Sequence, residues 1–182
     1  MAHPPQLLNG TPGRMIQTAR LTLAPVSASD LPGLIALKAD PLVYGQMLGG
    51  VRSRWQAIDE LLEDRAFWAA HNVGMFAIRE RSVFQGMTGI HQRPDGRGLA
   101  LRFAVWPEVR GRGLAREATS AALRFAHDRI GVPRIIAVAR EDNFGSRMVL
   151  GSIGMRHSEQ FTRDGHMMLV YESVIATKGN MA

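Results

Sequence analysis

The chain contains no cysteine. That excludes disulfides, thiolate zinc sites and any covalent step through a protein thiol. It accords with a reducing compartment. No apolar run approaches the ~20 residues that span a bilayer, so no membrane partner is expected. The first ten residues lack the basic end and apolar core of a signal peptide. The expectation from these absences is a cytoplasmic protein. Lysine is nearly missing too. Lys38 and Lys178 are the only lysines among 22 basic residues, and the rest are arginine. Arginine suits forked contacts to phosphate and carboxylate. Internal repeats and low-complexity blocks are absent.

What is present suits one ordinary globular domain. Of 182 residues, 46% are apolar and 21% charged, with 16 acidic side chains leaving a net charge of +6. A domain of this size buries roughly 70% of the surface its unfolded chain exposes. It needs no metal to fold. Residues 1–17 are punctuated by proline and glycine and read as an extended arm, 18–175 as the folded domain, and 176–182 as a tail.

Within the domain, "RLTLAPV" (20–26) alternates as a strand does. "SASDLPGLIALKADP" reads as a short helix with an apolar set at Leu31, Leu34, Ile35 and Leu37 and a stop before Pro41. In "SRWQAIDELLEDRAFWAAHNVG", Ser53 and Gln56 have capping-box spacing. Trp55, Ile58, Leu61, Leu62 and Trp68 recur there at helical intervals. Three strand segments follow, "GMFAIRE", "SVFQGMTGIHQ" and "LALRFAVWP". The turns "RS" and "RPDGRG" between them suit an antiparallel meander. A long helix carries the stripe Leu114, Ala118, Ala121, Ala122, Phe125 and Ile130, and stops at Gly131. "RIIAVAR" (134–140) is apolar enough to be a buried central strand. A short helix starts near Asn143 and ends near Gly154. Strands near 155–161 and at 168–174 finish the chain. The fold class is α/β (α+β): a mixed, largely antiparallel central sheet flanked by helices, with one βαβ crossover at 99–140. It is not a doubly wound nucleotide fold.

The chemistry concentrates in "WPEVRGRGLAREA". A helix start offers unpaired N–H groups and partial positive charge, and so makes an anion site. Gly111 and Gly113 let a ligand approach the backbone, and Arg110, Arg112 and Arg116 add charge-assisted bonds. The reading is a cradle for a pyrophosphate-sized anion. A solvated tight turn is the plainer reading. A Walker loop is absent, and Arg116 stands where a Rossmann fingerprint needs a small residue. No aromatic-rich basic patch accompanies the motif, so nucleic acid is not an expected partner. His3, His71, His91, His127, His157 and His166 lack metal-site spacing, so no metal is expected.

Three markers in order then resemble one family. They are R-x-x-G-x-A at Arg110, Gly113 and Ala115, the Asn143–Ser146 segment followed by Gly154-Met155, and the opening "ARLTLAPVSASDL". Together they resemble the GNAT superfamily of acetyl-CoA-dependent N-acetyltransferases, in its RimJ/RimL-like branch of ribosomal-protein acetylases. The resemblance covers roughly residues 18–175. It implies the GNAT fold, acetyl-CoA as cosubstrate, and an amine acceptor, either a protein N-terminus or a small molecule. A homodimer is compatible with it.

Residue by residue, it implies that Phe103, Ala104 and Val105 pair through their backbone with the pantetheine arm. Arg110, Gly111, Arg112, Gly113, Leu114 and Ala115 wrap the pyrophosphate. Asn143 bonds the pantetheine, Ser146 faces the thioester sulfur, and Arg147 lies among the cofactor-binding residues. Direct attack by a neutral amine needs positioning, an oxyanion donor, a base and an acid for the leaving thiolate. Many relatives use a tyrosine as the acid where Leu150 stands here. Ser146 is the candidate in its place, with a helix-start role as the alternative. Asn143 has the same ambiguity, as a helix cap. For the base, relatives often carry a strand glutamate two residues before a glycine; Ala100 and Arg102 occupy those places. His91, on the neighbouring strand, is the candidate base. Asp40, Tyr44, Glu172 and a water chain are further options. A catalytically weak acyl-CoA-binding or regulatory module is the alternative function.

Overall fold

A computed structural model describes residues 13–176. The expected arm up to residue 12 and the tail from residue 177 lie outside the described residues. The chain runs β1 (Ile16–Gln17), β2 (Leu21–Pro25), α1 (Leu31–Ala39), α2 (Pro41–Tyr44), α3 (Arg54–His71), β3 (Met75–Glu80), β4 (Val83–Gln92) and β5 (Leu99–Val105). It continues with α4 (Leu114–Arg124), β6 (Arg134–Arg140), α5 (Phe144–Ser152), β7 (Arg156–Arg163) and β8 (His166–Val174). The strands form one sheet in the order β1-β2-β3-β4-β5-β6-β8-β7.

All neighbours are antiparallel except β5 and β6, which are parallel and joined through α4. The mixed sheet and single crossover read from the sequence are therefore present. β1 is an addition: Ile16 and Gln17 extend the sheet beyond β2. α2 is another. Asp40 accepts a hydrogen bond from the Leu42 amide at 2.8 Å, and Pro41 starts a separate single turn.

The sheet is covered on both faces. On β3, Phe76 and Ile78 join the core under α4, while Met75 and Ala77 join the core under α1–α3. Strands buried on both faces read as continuous apolar runs, which is why "MFAI" does not alternate. α4 lays Leu114, Ala118, Ala121, Ala122 and Phe125 onto the sheet. Its alanines give close packing. Beyond Arg124 the helix widens into a π-helical turn, Phe125–Ile130, ended by Gly131 at φ 80°. His127 ties that turn down, through Nδ1 to the Val132 carbonyl at 2.6 Å and Nε2 to Ser173 Oγ at 2.9 Å.

The capping box of α3 is formed as expected. The Gln56 amide donates to Ser53 Oγ at 3.2 Å, and the Ser53 amide donates to Gln56 Oε1 at 2.8 Å. Its buried face differs from the expected set. Ala57, Leu61, Asp64 and Trp68 point inward, whereas Trp55 and Leu62 are exposed. The apolar residues of this helix spread over more than one face, so periodicity alone overcounts its core. Trp68 is the anchor. It meets Phe76 edge-on at 4.9 Å, and its Nε1–H donates to the Met75 carbonyl at 2.7 Å.

Gly74 makes that contact possible. A Cβ there would stand 2.6 Å from the Trp68 ring. Gly74→Ala should therefore destabilise the fold by about 1–3 kcal/mol through overpacking, measured as a lower urea midpoint. An unchanged midpoint would mean that Trp68 has room to move.

Candidate active site

The parallel junction creates the site. β5 and β6 share a single register pair, Ala100 with Ile136. Beyond it they part. β5 continues along β4 to Val105, and β6 continues along β8 to Arg140. Across the gap the β6-facing backbone edge of Phe103–Val105 has no strand partner. A cleft of 640 Å³ opens there, walled by α1–α3 on one side and by β6 and α5 on the other. Phe103, Ala104, Asn143, Ser146 and His91 all line it. Five of the sequence candidates thus come together.

The arginine–glycine turn follows β5 directly, through the turn Pro107–Val109. It does not line the cleft, and neither do Val105 and Arg147. Gly111 and Gly113 both adopt φ 78°, a left-handed conformation open to glycine at little cost. A Cβ on Gly111 would meet nothing within 4 Å. Conformation, then, demands these glycines, and the space beside Gly111 is open. No side chain caps α4. Its first amides therefore have no side-chain acceptor among the described residues. Leu114 is buried by its side chain, so only its backbone amide can serve there.

The arginines divide. Arg112 pairs with Glu80 at 2.8 Å, and its carbonyl accepts from Arg20 Nη1 at 2.7 Å. Arg20 is itself tied to Glu117 in the first turn of α4. Arg110 donates only to the Leu42 carbonyl, at 2.7 Å. Arg110 and Arg116 have no carboxylate partner among the described residues, so they are the free cations of this turn.

Across the gap, Asn143 is the N-cap of α5. The Ser146 amide donates to its Oδ1 at 3.1 Å. Ser146 is the third helical residue, not the cap. Its hydroxyl makes no hydrogen bond among the described residues. Arg147 donates to the Glu141 carbonyl at 2.8 Å and to the Tyr171 hydroxyl at 3.3 Å, bracing α5 on the side away from the cleft. Leu150, where the resemblance implies tyrosine in many superfamily members but not in the RimJ/RimL-like branch, is buried and lines the cleft.

His91 stands with a partner that sequence reasoning missed. Its Nε2 lies 3.7 Å from Asp64 Oδ1 on α3, too long for a hydrogen bond, and this buried atom has no other partner. Its Nδ1 lies 3.0 Å from the Gln92 carbonyl, and its ring stacks on Phe67 at 4.4 Å. A carbonyl only accepts, so Nδ1 carries the hydrogen and neutral His91 presents its Nε2 lone pair. Burial pushes the Asp64 carboxyl up to about 6, against the pull of Lys38, His91 and Arg102. The signal for Asp64 was present in the sequence. It falls three residues after Leu61, seven after Ala57 and four before Trp68, on the inward face of α3.

The remaining options for the base lie elsewhere or are held neutral. Asp40 caps α2, and Glu172 pairs with Arg134 at 2.9 Å. Tyr44 lines the cleft, but burial drives its phenol far above the ordinary tyrosine range. The cleft floor holds Lys38, almost wholly buried, which shares Glu60 with Arg52 at 2.5 Å each.

The structure thus holds a cleft where β5 and β6 part and, separately, an uncapped start of α4 after β5. The family model described as an acetyltransferase (GNAT) domain matches residues 20–156. The chain belongs to this GNAT acetyltransferase family and is an acyltransferase. It is similar to an acetyltransferase from Agrobacterium tumefaciens str. C58, at 25% identity and a TM-score of 0.78, covering 94% of this chain and 99% of that one. RimL, a ribosomal L7/L12 alpha-N-protein acetyltransferase solved with coenzyme A, matches at 17% identity and a TM-score of 0.76, over 89% and 98%. An acetyltransferase from Salmonella typhimurium that modifies the N-terminal serine of 50S ribosomal protein L7/L12 matches at 17% and 0.74, over 87% and 97%. The likeness to these last two is one of fold, and RimL belongs to the branch that the three sequence markers resemble. Among the described residues no helix is long and apolar enough to cross a membrane.

The raised Asp64 carboxyl makes a testable statement about stability. An ordinary aspartate titrates near 3.9, so between that value and about 6 the folded state holds a proton that the unfolded chain has released. The contribution of this side chain to stability is full below about pH 4 and is lost as pH rises through 6. Asp64→Asn should gain on wild type by about 2 kcal/mol between pH 4 and pH 7.5 in urea titrations. Parallel pH profiles for the two proteins would show that burial does not hold the proton.

Proposed function

We propose that the protein transfers an acetyl group from acetyl-CoA directly to a primary amine, either a protein N-terminus or a small molecule. One observation carries this reading. The orphaned, buried Nε2 of His91 stands beside Asp64 in the same cleft that Phe103, Ala104, Asn143 and Ser146 line.

The residues fit coenzyme A at three points. The free backbone edge of Phe103–Val105 offers pairing to a pantetheine amide. The amides of Gly111–Ala115, with Arg110 and Arg116, offer an anion cradle at the start of α4. Asn143 retains its side-chain N–H₂ for a carbonyl, because its Oδ1 is used by the cap. When bound there, acetyl-CoA supplies an activated thioester.

This chain's residues supply the rest. His91, with Nδ1–H anchored on the Gln92 carbonyl, accepts the amine proton at Nε2. Asp64 stabilises the imidazolium that results. The amine nitrogen forms the new C–N bond as the C–S bond breaks. Ser146 Oγ, free of protein partners, donates to the departing sulfur. No cysteine is available, so no acyl-cysteine precedes transfer.

Release of free thiol from acetyl-CoA across an amine panel tests the reading. Amine-dependent release supports it. Tight acetyl-CoA binding with no turnover would support a catalytically weak acyl-CoA-binding module instead. Ser146→Ala should lower kcat about 10-fold while the acetyl-CoA Kd stays within about twofold. Unchanged kcat would remove Ser146 from the mechanism. His91→Gln should lower kcat/KM about 100-fold. An unchanged kcat/KM would assign the proton to another group.

A further inference from the structure

Six cationic side chains line the cleft: Lys38, Arg52, Arg93, Arg102, Arg140 and Arg163. Five of them have a carboxylate partner. Lys38 and Arg52 share Glu60, Arg93 and Arg163 share Asp95, and Arg140 pairs with Asp142. Arg102 alone has no carboxylate within ion-pair distance among the described residues. Its one hydrogen bond, to the Gln92 carbonyl, is long at 3.4 Å. Arg102 is exposed on the open side of the cleft; partial desolvation disfavours its charge, Asp64 supports it, and Arg93 opposes it, which lowers its guanidinium from the ordinary range. A cation in that position gains from an anion brought in by a ligand.

Arg102 is also in the right place. On the paired strands β4 and β5, His91 faces Ala100 and Gly89 faces Arg102. His91 and Arg102 are therefore diagonal neighbours on one face of the sheet, where Cα separations are about 7–8 Å. From that separation both side chains line the one cleft, so a single small ligand can meet both. The guanidinium fork matches a carboxylate with two parallel hydrogen bonds. Val43, Met47, Met75 and Met87 line the cleft as well and present an apolar wall to the rest of the ligand.

We infer that the acceptor is an amine that also bears a carboxylate, gripped by Arg102 while its amine faces His91 and Asp64. The inference rests on the acetyl-transfer reading above and narrows its acceptor. A diamine or polyamine would bring a second cation against Arg102 and is selected against. A free α-amino acid supplies both groups. So does a peptide N-terminus with an acidic residue in second place.

Matched pairs distinguish these sources. One arm compares methionine with methioninamide. The other compares tripeptides with Asp or Asn in second place. At saturating acetyl-CoA, wild type should favour the carboxylate member about 10- to 100-fold in kcat/KM in one arm, and that arm names the source. Arg102→Gln should bring the ratio to within about twofold of unity, mainly by raising KM for the carboxylate member. Arg102→Lys, which keeps the charge but not the fork, should give an intermediate ratio. Acetyl-CoA titration by tryptophan fluorescence reports whether each variant is folded. If Arg102→Gln does not bind acetyl-CoA, the wild-type ratios and Arg102→Lys decide.

Equal rates for both members in both arms would overturn the inference, as would a preference that survives in Arg102→Gln. Turnover without discrimination removes only this inference. No turnover with any amine removes it together with the acetyl-transfer reading.

Discussion

The organisation of this molecule depends on one contact between strands. β5 and β6 are parallel neighbours that meet at Ala100 and Ile136 and then diverge. Each has a full antiparallel partner on its other side, β4 for β5 and β8 for β6. The two halves of the sheet thus hold together independently, and the junction is free to open. Opening it exposes a backbone edge inside a folded protein, which is costly unless something pairs with it. A parallel connection also requires a crossover. The crossover helix α4 begins where β5 ends, so its unpaired amides arrive beside the opening without further machinery.

The charge distribution follows from the same opening. A cleft between two half-sheets takes charged groups away from bulk water, and each must find compensation. Lys38, Glu60 and Arg52 do so as a three-membered cluster at the floor. Asp95 serves Arg93 and Arg163 at one rim. Asp64 and His91 are compensated only in part. Asp64 is buried without a hydrogen bond, and His91 Nε2 has no partner closer than 3.7 Å. Incomplete satisfaction next to an opening is the condition under which a group exchanges protons with a ligand. The turn at Arg110–Ala115 follows the same logic. Arg112 is spent on Glu80 and on fixing the loop, while Arg110 and Arg116 stay without carboxylate partners.

Much of this was readable from local pattern. Alternating and continuous apolar runs marked the strands from 20 to 140, and the turn residues between them marked the meander. The capping box at Ser53 and Gln56 and the cap at Asn143 are local hydrogen bonds that residue type and spacing specify. Other features were not readable in this way. Trp55 looked like core and is exposed, because it lies off the inward face of α3 that Ala57, Leu61, Asp64 and Trp68 share. The π-helical turn after Arg124 carries His127, which reaches Ser173 on a strand far along the chain, a contact that no local pattern specifies. Asp64 looked like one acid in a charged helix, and its meaning appears only once His91 lies opposite it.

The boundary between the two kinds of information is physical. Periodicity, capping and turn chemistry act over a few residues, so the amino-acid order alone specified the elements, the single crossover and the glycine-bearing loop in front of α4. It also carried the three family markers. Charge pairing and strand divergence act between residues distant along the chain. Which arginine is neutralised, which histidine nitrogen is left without a partner, and where two strands part were decided by the packing of α3, β4, β5 and β6 around one cleft. Arg102 shows the difference most sharply. In the sequence it is one arginine among many, and in the folded protein it is the one cation lining that cleft, among the described residues, with no carboxylate of its own.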